Sequence, residues 1–189
     1  MFLSDQDIAK RVETKKIIIE PFDKKFIQPA AYDLRLHTNF RIFKNSNISH
    51  IDVKKPFDVT EFVQIKNDGN FVIHPREFIL ASTLESISLP NNIVGVLEGR
   101  SSLGRIGLIV HATAAFVGPG FSGHLTLEMS NISNLPIKLY PGMRIAQLGF
   151  ITMTSEAKSV YGNKKLASKY QGQKAPTASM IWKDFESQK

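Results

Sequence analysis

The sequence predicts an all-β domain of the jelly-roll or barrel type. Two observations carry that expectation: short runs of alternating apolar and polar residues recur along the chain, and clusters of turn-forming residues separate them. A third narrows it, because a helical pattern appears only before Lys16.

Ser4-Asp5-Gln6-Asp7 ahead of Ile8 has the form of a capping box, with Asp where Glu is usual, and predicts a short helix to about Lys15. Strands are expected near Lys16–Glu20, Tyr32–Leu36, Phe40–Phe43, Phe71–Ile73 and Phe78–Ser82. Further ones are expected near Ile93–Glu98, Gly107–His111, His124–Met129, Ile137–Leu139 and Ile145–Phe150. In the run from His124, Leu125, Leu127 and Met129 share one face, and Thr126 and Glu128 the other. Asn67-Asp68-Gly69-Asn70, Pro90-Asn91-Asn92, Gly118-Pro119-Gly120 and Tyr140-Pro141-Gly142 supply turns. Past Thr154 the periodicity fades into a polar segment with Gly162, Gly172 and Pro176, expected to be a mobile arm. No linker divides the chain. Residues 1–189 therefore read as one domain, with a β core and N-terminal helix over 1–154 and an arm over 155–189.

Composition fits a soluble globular protein. Hydrophobic residues make up 42% and charged residues 22%, too apolar for a disordered chain. No apolar run approaches the roughly 18 residues needed to span a bilayer. The N-terminus has no basic stretch followed by an apolar one, so no export signal is expected, and a cytoplasmic location is. Zero cysteines exclude disulfides, thiolate nucleophiles and thiolate metal sites. The net charge of +7 is uneven: Lys158, Lys164, Lys165, Lys169, Lys174, Lys183 and Lys189 are set against only Asp184 and Glu186. Such a tail suits nucleic acid, acidic lipid or a polyphosphate, and equally a solvated surface.

Chemistry-bearing residues gather in two places. Glu98-Gly99-Arg100-Ser101-Ser102-Leu103-Gly104-Arg105 follows a strand and brackets two hydroxyls and a guanidinium with glycines, a second guanidinium closing it. Glycine lets backbone approach an anion, hydroxyls donate to it, and arginine grips phosphate with forked donors. It is not a Walker loop, since no Gly-Lys-Ser/Thr ending appears, and taken alone such a turn is more often a surface connection than a phosphate site. Glu128 lies within an apolar strand, where a carboxylate is costly unless paired or used. A buried Glu–Arg pair, an outward-facing residue and a catalytic group all fit it. His37, His50, His74, His111 and His124 are scattered, without the spacing or the His-x-Glu and Pro-Cys-x-x-Cys signature of zinc nucleobase deaminases. They read as structural. Tyr161, Lys169, Tyr170 and Gln173 in the tail combine groups that stack on a base or sugar with groups that hold phosphate.

Taken in order, these segments resemble the dCTP deaminases, a family that shares its fold with the trimeric dUTPases. The likeness rests on Glu98-Gly-Arg-Ser-Ser-Leu-Gly-Arg105, His111-Ala-Thr-Ala114, Pro119-Gly-Phe-Ser-Gly-His-Leu-Thr-Leu-Glu128, Leu135-Pro through Tyr140-Pro-Gly-Met143, and Ala146-Gln147. Leu3-Ser-Asp-Gln-Asp-Ile8, Gln28-Pro-Ala-Ala-Tyr-Asp-Leu-Arg35 and Ser168-Lys-Tyr-Gln-Gly-Gln173 extend it over nearly the whole chain. The resemblance implies a jelly-roll-like β barrel of the dUTPase type, assembled as a homotrimer with active sites at subunit interfaces. It implies dCTP as substrate and magnesium bound through the triphosphate, with no zinc and no metal held by the protein itself.

Residue by residue, Arg100, Ser101, Ser102 and Arg105, with Leu103 and Gly104 between them, match the triphosphate loop, and Glu128 matches the catalytic carboxylate. Thr126, Leu127 and the Ala114 backbone match pyrimidine contacts, and Gln147 a nucleotide contact. Tyr161, Lys169 and Gln173 match the arm that closes over substrate, so neither nucleic acid nor a membrane is expected as partner. In the implied chemistry Glu128 relays a proton from water to the leaving amine, Ser101 positions the water and Arg105 orients Glu128.

Two departures pull in opposite directions. Where the family carries an Asp that contacts the deoxyribose and helps activate water in the dUTPase lineage, this chain has Gly118, which favours dUTP as main product and dUMP as minor. Ala115-Phe116 instead resembles the Gly-Phe of members that go on to dUMP. A bifunctional enzyme acting also on dUTP, and a non-catalytic nucleotide-binding β protein, therefore stay open, as does the feedback by dTTP that some members show.

Overall fold

The computed structural model describes residues 1–44 and 48–186; Lys189, counted above in the basic tail, lies outside the described residues. Helix α1 (Asp5–Glu13) begins where the capping box places it, with the Asp7 N–H donating to Ser4 Oγ at 3.3 Å. It stops short of Lys15 because Thr14 caps it, its hydroxyl donating to the Lys10 carbonyl at 2.8 Å, and Lys15 then turns through a left-handed φ of 55°.

The strands that follow are β1 (Ile18–Glu20), β2 (Ile27–Gln28), β3 (Ala31–Phe43), β4 (Thr60–Gln64), β5 (Phe71–Ile73), β6 (Phe78–Ser88) and β7 (Ile93–Gly99). A short turn of helix, α2 (Ser101–Gly104), leads to β8 (Leu108–Ile109), β9 (Phe116–Val117), β10 (Ser122–Asn131), β11 (Ile137–Leu139) and β12 (Arg144–Thr152), and α3 (Lys183–Glu186) closes the chain. One curled antiparallel sheet runs β8-β10-β6-β3-β12-β7-β9, and β11 pairs with β5 apart from it. The curl is made by β3. Its first half pairs with β12 and its second half with β6 and β4, with a break in register between Leu36 and Phe40.

The expected runs at Tyr32–Leu36 and Phe40–Phe43 are thus one strand. Thr38 and Asn39, polar residues that break the apolar pattern between them, are nevertheless buried. Inside the curl lies a core that includes Tyr32, Leu34, Phe40, Ile79, Leu127 and Phe150, each fully buried. In β10 buried and half-buried residues alternate strictly, as the sequence pattern requires. An ion pair built on a fully buried carboxylate lies at the seam where β3 changes partners: Glu85 accepts the Arg35 backbone N–H at 2.8 Å and its Nε–H at 2.6 Å. No helix among the described residues is long and apolar enough to cross a membrane.

The arm is seated on the core. Gly172 N–H donates to Ser122 O at 2.8 Å and His124 N–H to Gln173 O at 3.0 Å, extending β10 by backbone pairing. Gly123 makes this possible: it holds a φ of +140°, and a Cβ there would lie 2.9 Å from Gln173 O.

Candidate active site

The half-buried face of β10 and the arm enclose a mostly apolar cavity of about 340 Å³. Glu128 stands in its wall, opposite Leu80 of β6. Its Oε2 accepts the Ala112 N–H at 3.2 Å, and no cation pairs with it among the described residues. The buried Glu–Arg pair that is one reading of Glu128 exists instead at Glu85 and Arg35. Ala114, Gly118, Thr126, Tyr161 and Gln173 line the same cavity. Thr126 Oγ1 donates to Gln173 Oε1 at 3.3 Å, and Gln173 Nε2 to His124 O at 2.7 Å, so the arm is hydrogen-bonded to the strand carrying Glu128. Tyr161 packs on Phe121 with ring centroids 5.7 Å apart, and its hydroxyl accepts the Tyr170 N–H at 3.2 Å. A Cβ at Gly118 would sit 3.5 Å from the Tyr161 ring, an ordinary contact. Space alone therefore does not explain the glycine.

A second, polar cavity of about 530 Å³ is formed by Arg100, Ser101, Ser102 and Gly104 with Gln28, Asp33, Glu98 and Gln147. Asp33 is 1% exposed and lies 3.2 Å from Arg144 Nη1 and 3.6 Å from Arg100 Nη1, which fixes the first arginine of the loop. Gly107 closes the loop at a φ of +85°, where a Cβ would come within 2.8 Å of Ser133. The two cavities share only His111 among their described linings. Its Nε2 lies 3.7 Å from Glu98 Oε2, and its Nδ1 is buried without a partner.

The structure therefore divides the expected site residues. Ser101 lines the polar cavity and Arg105 is exposed and lines neither, so within one chain they make no contact with Glu128. Leu127 is fully buried in the core, and Leu103 packs against the core. Lys169 is turned away, its Nζ 2.5 Å from Asp184 Oδ1 on α3. Sequence reasoning missed Asp58, a carboxylate in the wall of the apolar cavity. Burial raises its affinity for a proton, but hydrogen bonds from Thr60 and Arg41 more than offset that and hold it below the usual carboxylate range. It also missed the burial of Asp33, although that residue stood within a matched segment.

With this geometry in view, comparison with known proteins is decisive at the level of family. A family model described as dCTP deaminase-like matches residues 2–153. The chain belongs to that family. A relative from Corynebacterium glutamicum named "dCTP deaminase, dUMP-forming" is 51% identical over 186 residues, 98% of each chain. One of the same name from Corynebacterium jeikeium is 49% identical over 188 residues, 99% of this chain and all of its own. The crystal structure of the 2'-deoxycytidine 5'-triphosphate deaminase from Agrobacterium tumefaciens superposes with a TM-score of 0.62 at 23% identity. It covers 79% of this dCTP deaminase family member, which spans 47% of that chain's length; this likeness bears on fold alone.

Proposed function

We propose that this protein hydrolyses dCTP with release of ammonia and carries the product on to dUMP and pyrophosphate, in a homotrimer whose active sites are shared between subunits. One observation carries the reading: Glu128, half-buried and without a cation partner among the described residues, faces an apolar cavity, while the hydroxyls and guanidinium of Arg100–Ser102 line a separate polar one. Water adds to C4 of the pyrimidine, and the C4–N bond breaks from the tetrahedral intermediate. Glu128 takes the proton from water and passes it to the departing amine. Its bond from the Ala112 N–H fixes one carboxylate oxygen and leaves the other for the proton.

Ser101 and Arg105 act on this chemistry from a neighbouring subunit, positioning the water and orienting Glu128. Sharing of the site is supported by the exposed Ile106, Ile109, Ile132 and Leu135 around the end of the phosphate loop, an apolar face that a second copy would cover. Ser101, Ser102 and Glu98 of the polar cavity would offer a magnesium ion carried by the triphosphate the hard oxygen donors it prefers, and the ion would offset phosphate charge. No zinc is required, in keeping with the zero cysteines and a sequence without the zinc-deaminase signature. The location proposed is cytoplasmic, with dUTP as intermediate and dTTP as a candidate inhibitor.

Gly118 alone favours dUTP as main product; the dUMP-forming relatives at about half identity favour the signal in Ala115-Phe116, and we follow them. Chromatography of one time course from dCTP with magnesium tests this. We expect ammonia, pyrophosphate and dUMP to form in step. Accumulation of dUTP would return the chain to simple deamination, and tight binding without turnover would make it a non-catalytic nucleotide-binding protein.

A further inference from the structure

The apolar cavity does not end at Glu128. Register carries its floor across the sheet: Glu128 on β10 lies opposite Leu80 on β6, and Leu80 opposite Arg41 on β3. Adjacent strands are about 4.8 Å apart, so the floor continues roughly 10 Å past the carboxylate. Phe43 and Phe78, their rings 5.4 Å apart, belong to that floor. Phe57 and Val59 wall it, and Thr177–Ser179 of the arm lie over it. At the far end Asp58 is held by Arg41 and by the Thr60 N–H and hydroxyl, at 2.9 and 2.6 Å. Its charge is thereby balanced within the chain. The sugar end of the site, by contrast, is closed by Tyr161 stacked over Gly118.

A carboxylate that delivers a proton to the amine on C4 must have that amine beside it. The space beyond Glu128 therefore begins where a substituent on the amine would begin. We infer that this chamber admits N4-alkylated cytosine deoxynucleotides, so that the protein also removes small alkylamines from damaged or modified dCTP. The step balances as the parent reaction does: water oxygen bonds to C4, the C4–N4 bond breaks, and the amine leaves with the proton from Glu128. N4-methyl-dCTP and water thus yield dUTP and methylamine. The inference rests on the proposed deamination of dCTP.

The test is parallel turnover of dCTP and N4-methyl-dCTP by the full chain, with ammonia and methylamine measured separately. We expect methylamine at a rate within about tenfold of ammonia, the low end of the roughly 10–200-fold by which an apolar pocket discriminates one carbon, because the chamber has room for it. Val59→Phe fills the chamber from an edge loop and should cut methylamine release at least tenfold relative to ammonia release. Phe57→Trp is the second variant, should Val59→Phe fold poorly. Ammonia from dCTP with no methylamine from the alkylated substrate overturns the chamber while leaving deamination intact. Equal losses on both substrates in the two variants also overturn it. Absence of ammonia from dCTP removes the proposed function and this inference together.

Discussion

The two cavities differ in what they could do alone. The one on β10 is apolar, roofed by the chain's own arm, and contains a carboxylate with a single N–H partner. The one at α2 is polar, more open, and lined by Arg100 beside the buried Asp33, which also holds Arg144. The first can surround a base and move a proton, but no lysine or arginine among the described residues lines it to hold a triphosphate. The second can hold a triphosphate, but its carboxylates face partners of their own, Asp33 beside Arg100 and Arg144 and Glu98 beside His111. A nucleoside triphosphate needs both, and among the described residues only His111 touches both. The division is what the proposed sharing of the site between subunits requires.

The largest effect separates two glutamates of the same sheet. Glu128→Gln should keep shape and hydrogen-bonding reach while losing the proton carrier, lowering ammonia release on the order of 10²–10⁴-fold with nucleotide binding retained. Glu85→Ala should do the reverse. It strips Arg35 of its buried partner, and the stability loss is about 3 kcal/mol, the low end for a buried pair because the Arg35 side chain is 18% exposed. Thermal melts and single-turnover rates on both variants check the contrast. A Glu128→Gln enzyme with more than about a tenth of normal turnover would remove Glu128 from the chemistry.

Next in size is the arm. Truncation after Thr154 removes Tyr161, Tyr170, Gln173 and Thr177–Ser179 from the apolar cavity and leaves the polar one untouched. KM for dCTP should rise and kcat fall, together roughly 10²-fold in kcat/KM, through lost positioning and water exclusion. The sheet ends at Thr152, so the truncated chain should still melt cooperatively. Unchanged kinetics would make the arm a solvated surface. A smaller effect is expected from Gly118→Asp. The new side chain meets only the Tyr161 ring and can accept a bond from the sugar, tightening dCTP binding roughly tenfold. It should also raise the rate of dUMP formation; weaker binding would mean that Tyr161 has taken over that space.

Much of this was legible in the sequence because β10 is half-exposed along its whole length. Alternation there fixes which residues point inward, and the same pattern puts Thr126 and Glu128 together toward the cavity. Strand β4 escaped notice because Thr60–Gln64 is an edge strand with exposed Glu61 and Phe62, which blurs the period. The two-residue strands β2 and β9 exist only through their partners on β3 and β7, which no local pattern records. The same limit hid Asp33, Asp58 and Glu85. A carboxylate's role depends on the arginine brought to it from a distant strand, as Arg144 is brought to Asp33 and Arg41 to Asp58. The expected contacts of Ser101 and Arg105 with Glu128 came from resemblance, and the single chain places these groups apart.

That separation allows the most direct test. Two inactive chains, Glu128→Gln and a Ser101→Ala/Arg105→Ala double variant, are co-expressed with different tags and purified through both. If each site takes its phosphate loop from one subunit and its carboxylate from another, every mixed trimer that passes both tags has one whole site in three, so roughly a third of the sites are whole. The mixed assembly should then release ammonia and dUMP from dCTP at about that fraction of the normal rate, while each variant alone stays inactive. A mixed assembly as inactive as its parents would mean that one chain spans both cavities past His111, and the shared site would be wrong.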